Sequence, residues 1–112
     1  MKRIEAIIRS ERLEAVKAAL AACGNTGITI TDVRGHGIQR GVTQQWRGED
    51  YSVDLLPKVS VVVVVNDHEV VDVIESIASV ARTDRIGDGK IFVTPVEQVV
   101  RIRTGESGTE AL

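Results

Sequence analysis

The chain has 112 residues with 14 basic and 16 acidic side chains, a net charge of −2, and 43% hydrophobic and 27% charged residues. Those figures describe one ordinary globular domain, excluding wholesale disorder and a protein held on nucleic acid by general phosphate attraction. The one cysteine, Cys23, can make neither an internal disulfide nor a zinc cluster and reads as a small buried apolar residue. Charge at Lys2, Arg3 and Glu5 breaks any signal-peptide pattern, and the longest valine run, 61–65, is far short of the roughly 20 residues that span a bilayer. The expectation is a soluble, cytoplasmic protein.

In chain order, Ile4-Glu5-Ala6-Ile7-Ile8-Arg9 predicts a strand, and Ser10 is placed to cap the helix that follows. In that helix Leu13, Val16, Leu20 and Cys23 recur near helical period until Gly24 ends it. Residues 27–33 alternate with period two, as a half-buried strand does. Residues 37–55 show no sustained periodicity, and residues 58–65 form an almost all-valine strand. Asn66-Asp67-His68-Glu69 has capping-box spacing ahead of a helix striped by Val70, Val73, Ile74, Ile77 and Ala81. Ile91-Phe92-Val93 is a short strand ended by Pro95, and Val99-Val100-Arg101-Ile102-Arg103 reads as the closing strand before a polar tail.

The order β-α-β, gap, β-α-β is the split βαβ, ferredoxin-like pattern of an α+β domain. Both helices of that fold cover one sheet face, yet residues 59–65 are apolar on both sides. A valine such as Val62 or Val64 left in water forfeits about 1.5–3 kcal/mol, so the second face is expected to be covered by other copies of the chain.

The long gap holds Trp46 and Tyr51, two of the three aromatics. They either pin the segment to the body or, flanked by charge, offer a contact surface to another protein. The Gly87-Asp88-Gly89-Lys90 turn can aim backbone amides at an anion, with Lys90 adding charge. Arg101 and Arg103 would project to one side of the last strand, with Lys58, Arg82 and Arg85 available to join them, a set that suits a polyphosphate. A plain tight turn with arginines paired to surface carboxylates fits the spacing equally well. His36 and His68 lie apart without cysteine, unlike a zinc site, and no nucleophile with a matching base stands out.

Taken together, Tyr51, Leu56-Pro57-Lys58-Val59, Ala81-Arg82-Thr83, Ile86-Gly87-Asp88-Gly89-Lys90-Ile91-Phe92-Val93, Pro95-Val96-Glu97 and Val100-Arg101-Ile102-Arg103-Thr104-Gly105-Glu106 closely resemble the PII family of nitrogen-regulatory signal proteins. The opening Ile4–Arg9 run fits as well, and the match is collinear over nearly the whole chain. The resemblance implies a single ferredoxin-like domain, 1–112, assembled as a compact homotrimer. It implies a T-loop at about 37–55, a phosphate-binding turn at about 82–90 and a C-terminal loop and tail at about 102–112. It further implies ATP or ADP in clefts between subunits, and 2-oxoglutarate bound with Mg-ATP.

By the same resemblance, Gly27, Thr29 and Val64 hold the nucleoside, Gly35 and Gly37 approach it by backbone, and Ile38 stands at a further nucleotide-binding position. Gly87, Asp88, Gly89 and Lys90 hold the phosphates together with Arg101 and Arg103. Gln39 completes the Mg2+ shell, Lys58 pairs with a 2-oxoglutarate carboxylate, and Arg40, Gly41 and Gly87 line that effector. Each role is chemically apt: Mg2+ takes hard oxygens and leans on phosphates, and a desolvated ammonium anchors a carboxylate. The ligand present would set the T-loop state, and that state would select the partner, an ammonium channel or enzymes and regulators of nitrogen metabolism. No nucleic acid is implied, and a membrane is approached only through a channel partner.

Tyr51 matches a tyrosine that some relatives carry as a nucleotidylation site, whereas Glu49 stands where cyanobacterial relatives phosphorylate a serine. Other departures are Ile38 for a phosphate-contacting arginine, His36 for an aromatic, Arg40 for lysine, Trp46 for tyrosine and Val62 for glutamate. An uncompensated loss of one charged phosphate contact costs about 1.5–3 kcal/mol, and Arg40 is a candidate substitute for Ile38. A small ferredoxin-like enzyme acting on a nucleotide or phosphorylated substrate is the competing class, with Asp88 as its candidate base. A trimeric metal-binding stress protein of similar fold is a third, opposed by the scarcity of Cys and His.

Overall fold

In the computed structural model the described residues are 1–36, 42–46, 49–53 and 55–112, with 42–46 and 49–53 described by backbone alone. Strand β1 (Lys2–Ile8) leads through a tight turn at Ser10–Arg12 into helix α1 (Leu13–Ala22), then β2 (Thr29–Gly35). A two-stranded hairpin follows, β3 (Val42–Trp46) with β4 (Glu49–Val53), then β5 (Leu56–Val65), helix α2 (Val70–Ala81) and β6 (Lys90–Pro95). The main sheet is antiparallel in the order β2-β5-β1-β6. With the hairpin set aside as an insertion between its second and third strands, this is the expected βαββαβ ferredoxin-like arrangement.

Strand parity decides which side is core. Ile4, Ala6 and Ile8 of β1 and Val59, Val61, Val63 and Val65 of β5 face the helices, where Val16 and Leu20 of α1 and Val73, Ile77 and Ala81 of α2 close over them. All twelve residues of this cluster are buried. Cys23, half-buried at the end of α1, donates through its thiol to Ser76 Oγ on α2 at 3.2 Å, so it is tied across the helix pair. The Glu69 carboxylate accepts from the Asn66 backbone amide at 3.3 Å, the capping-box contact that starts α2.

The alternate residues form the second face: Arg3, Glu5 and Ile7 of β1, Lys58, Ser60, Val62 and Val64 of β5, Phe92 and Thr94 of β6, and Thr29, Thr31 and Val33 of β2. Among the described residues no helix packs on this side, and Phe92 is 50% exposed there. Val62 and Val64 are half-buried, sheltered by cross-strand neighbours, and Glu5, opposite Val62 and Phe92, accepts from Ser60 Oγ at 2.7 Å.

Three expectations need correction. Residues 99–103 are not the closing strand: β1 gives its second edge to β6, and the chain then turns away. Val100 makes a single bridge to Ser107, while Arg101 N to Glu106 O at 2.8 Å and Gly105 N to Arg101 O at 2.8 Å close a compact turn. Gly105, at φ 75°, supplies the left-handed residue that turn requires. Arg101 and Arg103 therefore do not alternate along a strand. The 37–55 segment is not without regular structure, since it carries β3 and β4, whose pairing sets Tyr51 opposite Gln44. Ser10 opens a tight turn, and no side-chain bond caps the helix there.

The core makes one prediction. Ile77→Ala empties a fully buried position between α2 and the sheet and should lower the unfolding free energy by about 2–5 kcal/mol, read from urea denaturation with an unchanged m-value.

Candidate functional site

A groove of about 450 Å³ opens at one end of the uncovered sheet face. Each strand of the main sheet contributes residues from that face: Ile7 from β1, Gly35 from β2, Leu56 and Lys58 from β5, and Lys90 and Phe92 from β6. The remaining wall is the connection from α2 to β6, residues 85–89, with His36 beyond β2. The result is an apolar floor bordered by the cations Lys58, Arg85 and Lys90, which suits a ligand with an apolar part and an anionic part. Arg85 is partly balanced by Glu11 at 3.9 Å, an exposed contact of little energetic weight.

The connecting turn is built around Asp88. Its carboxylate accepts from the Thr83 amide at 2.7 Å, the Asp84 amide at 2.9 Å and the Thr83 hydroxyl, and from Arg9 Nε at 3.0 Å. These bonds, the Thr83 hydroxyl's foremost, hold the Asp88 carboxyl well below the usual carboxylate range. Arg9 also donates through Nη2 to the Ile86 carbonyl at 2.7 Å. Lys58 Nζ donates to the Gly87 carbonyl at 2.7 Å. Burial, and then the nearby Arg9 guanidinium, lower the Lys58 pKa, while Glu11 and Asp88 act in the opposite direction. Gly89 has φ 100°, and a Cβ there would lie 1.7 Å from the Ile7 carbonyl oxygen, so any side chain would force the turn off β1.

The residues expected to hold ligands fall into three groups. Gly35, Lys58, Gly87, Asp88, Gly89 and Lys90 meet at this groove. Gly27, Thr29, Val64, Arg101 and Arg103 do not line it: Thr29 pairs with Val62 and Val64 with Arg3, at the opposite end of the sheet, and Arg101 and Arg103 come after β6 leaves by that end, where Lys2 faces both Val65 and Pro95. Lys58 and Val64 are six residues apart on one strand, roughly 20 Å. Gly37, Ile38, Gln39, Arg40 and Gly41 lie outside the described residues, as does the Tyr51 side chain. Residue-pattern reasoning missed Arg9, Thr83, Leu56 and Phe92. Leu56 entered only within the Leu56-Pro57-Lys58-Val59 motif and Phe92 only as part of a short strand, and nothing in the spacing links Arg9 to Asp88, 79 residues away.

Among the described residues no group of three His, Cys, Asp or Glu is gathered to hold a metal ion, and no helix is long and apolar enough to cross a membrane.

The fold and groove define a ferredoxin-like α+β protein with an anion-suited site on the bare face of its sheet. The family model described as nitrogen regulatory protein P-II matches residues 1–106. The chain is 57% identical, over its full length and 97% of the relative, to nitrogen regulatory protein P-II 2 of Methanothermobacter thermautotrophicus. It is 56% and 53% identical to the nitrogen regulatory proteins P-II of Azospirillum brasilense and Nostoc punctiforme, in both cases over the whole of each chain. The chain belongs to the P-II family of nitrogen regulatory proteins, and its place is among regulators of nitrogen signalling.

The Asp88 network predicts an acid-sensitive contribution to stability. A carboxyl whose pKa is depressed in the folded chain stabilises it above the ordinary aspartate value of 3.8 and loses that contribution as pH falls through the folded value. Wild type should melt above Asp88→Asn at pH 7, and the gap should narrow once pH drops below about 3.8; a gap independent of pH would contradict this.

Proposed function

We propose that the chain senses nitrogen status by binding ATP or ADP, and 2-oxoglutarate together with Mg-ATP, in clefts between the subunits of a homotrimer. The bound ligand then sets the arrangement of the 37–55 segment, the T-loop of the resemblance. Through that segment the chain controls partner proteins in the cytoplasm, such as an ammonium channel or enzymes and regulators of nitrogen metabolism.

The observation that carries this reading is the division of the ligand residues between the two ends of one bare sheet face. Lys58, Lys90 and the 87–89 turn occupy one end, while Thr29 and Val64 lie at the other, where β6 ends six residues before Arg101. A nucleotide held by both groups is most simply shared between two copies, each giving one end. The same arrangement would cover Val62, Val64 and the half-exposed Phe92, the apolar surface that a lone chain leaves in water.

The donor set suits the ligands. Lys90 and the glycine turn offer charge and close backbone approach to phosphate, and Lys58 offers an ammonium to a carboxylate. The Asp88 carboxylate is engaged by Thr83, Asp84 and Arg9, so Mg2+ would rely on ligand oxygens and on Gln39. That engagement also weighs against the competing enzyme reading: a carboxylate held by four donors, its pKa lowered, is a poor general base.

Two measurements test the reading. Sedimentation should give a particle three times the 12.1 kDa of the chain; a monomer would remove the shared site. Calorimetry should show ATP and ADP binding alone and 2-oxoglutarate binding only with Mg-ATP present. Lys58→Ala should reduce the 2-oxoglutarate response at least tenfold while leaving ADP affinity within about threefold of wild type. Equal loss of both ligands would overturn the Lys58 role, and multiple-turnover ATP hydrolysis would favour the enzyme.

A further inference from the structure

Three consecutive residues of the ligand turn are gripped from outside it by two cations. Arg9, just past β1, holds the Ile86 carbonyl at 2.7 Å and the Asp88 carboxylate at 3.0 Å; Lys58, on β5, holds the Gly87 carbonyl between them at 2.7 Å. The next residue, Gly89, rests on the Ile7 carbonyl, two positions before Arg9. The turn is thus registered over four successive residues against β1, the Arg9 that follows it, and β5. Arg9 contributes the part that reaches furthest, because one guanidinium binds a side chain and a backbone carbonyl together. Its side chain is only 11% exposed and does not line the groove, so it stands behind the wall that a ligand would touch.

The donors inside the turn matter as well. The Thr83 and Asp84 amides, which an anion would otherwise attract, are already taken by Asp88, and Arg9 neutralises the carboxylate that fills that nest. The turn therefore needs no ligand to hold its shape, and a ligand arriving at Gly87–Lys90 meets donors already in place.

We propose that Arg9 is a positioning residue for the anion site: it acts through Asp88 and the Ile86 carbonyl to set the 86–90 turn, and through Gly87 the placement of Lys58, without touching ligand. This rests on the ligand reading above. Removing Arg9 leaves the Asp88 charge unneutralised in its nest and frees the Ile86 carbonyl, so the turn drifts and both anion donors lose their register.

The test is calorimetric titration of the full-length protein with ADP, and with 2-oxoglutarate in the presence of Mg-ATP, alongside thermal melts. Arg9→Gln should weaken ADP binding by tenfold or more while the protein still melts cooperatively. Arg9→Lys, which can still pair with Asp88, should recover a measurable part of that loss. The double variant Arg9→Gln/Asp88→Asn should lose clearly less than the product of the two single losses, because the two changes share the Arg9–Asp88 link. Should Arg9→Gln fail to fold, Arg9→Lys and Asp88→Asn carry the same comparison, each expected to weaken both ligands. Wild-type affinity in all of these variants, or losses in the double variant that multiply, would overturn the positioning role while leaving the ligand reading intact. A wild-type chain that binds neither ligand would overturn both.

Discussion

The approach of Gly89 to the Ile7 carbonyl is the constraint on which the rest of the site depends. A Cβ at that position would sit 1.7 Å from the oxygen, so the connection after α2 can run flat against β1 only because a glycine stands there. From that contact β6 is laid directly on the free edge of β1, with Lys90 opposite Ile7. Two consequences follow from one backbone approach. The sheet gains its fourth strand, and Lys90 is brought onto the same face as Lys58. The anion-suited groove is a by-product of the way the fold closes.

The alternation of the strands then divides labour between the two faces. On the helix side, β1 and β5 give aliphatic residues to the core; on the other side the same strands carry Glu5, Lys58 and Ser60 among Val62, Val64 and Ile7. A mixed face of this kind is neither a second core nor an ordinary solvated surface. The Glu5–Ser60 bond satisfies one polar pair within it, at 2.7 Å, so this part of the face can be dehydrated without stranding those groups. Its apolar residues supply the gain that dehydration brings. A surface that is costly to leave wet and inexpensive to cover is what association of copies requires.

Much of this architecture was legible in the residues. The valine run and the Asn66–Glu69 capping box place β5 and α2, and the apolar residues of β1 place it too, because those elements are set by which side meets the core; β2 shows its period-two alternation although none of its residues enters the buried cluster. What failed was competition between segments. Residues 99–103 have a cleaner strand pattern than residues 90–95, which end in proline, yet only one segment can take the edge of β1, and the Gly89 contact decides which. The β3–β4 hairpin was missed for a different reason: Val42-Thr43-Gln44-Gln45-Trp46 carries little apolar alternation, so its pairing leaves little trace in the hydrophobic pattern of the residues. Of the site, the Gly87–Lys90 turn and Lys58 were readable in the residues as an anion-suited set, and Gly35 only through the family resemblance. Arg9 was not, since a contact spanning 79 residues has no local signature.

The state of Asp88 links stability and function in this chain. A carboxylate in a glycine turn beside lysines could serve as a base, as a metal ligand or as internal scaffolding, and the sequence alone leaves these open. Four donors converge on it: two backbone amides, a hydroxyl and a guanidinium. Each favours the ionised form, and together they use the lone pairs that proton abstraction or metal binding would need. Scaffolding is the role these contacts describe. A sensor gains from a site whose shape is set before the ligand arrives, because affinity then reports ligand concentration without the cost of ordering the turn. Conformational change can be confined to another part of the chain, and the turn, pinned to β1 at Ile7 and by Arg9, provides the fixed reference against which such a change would register.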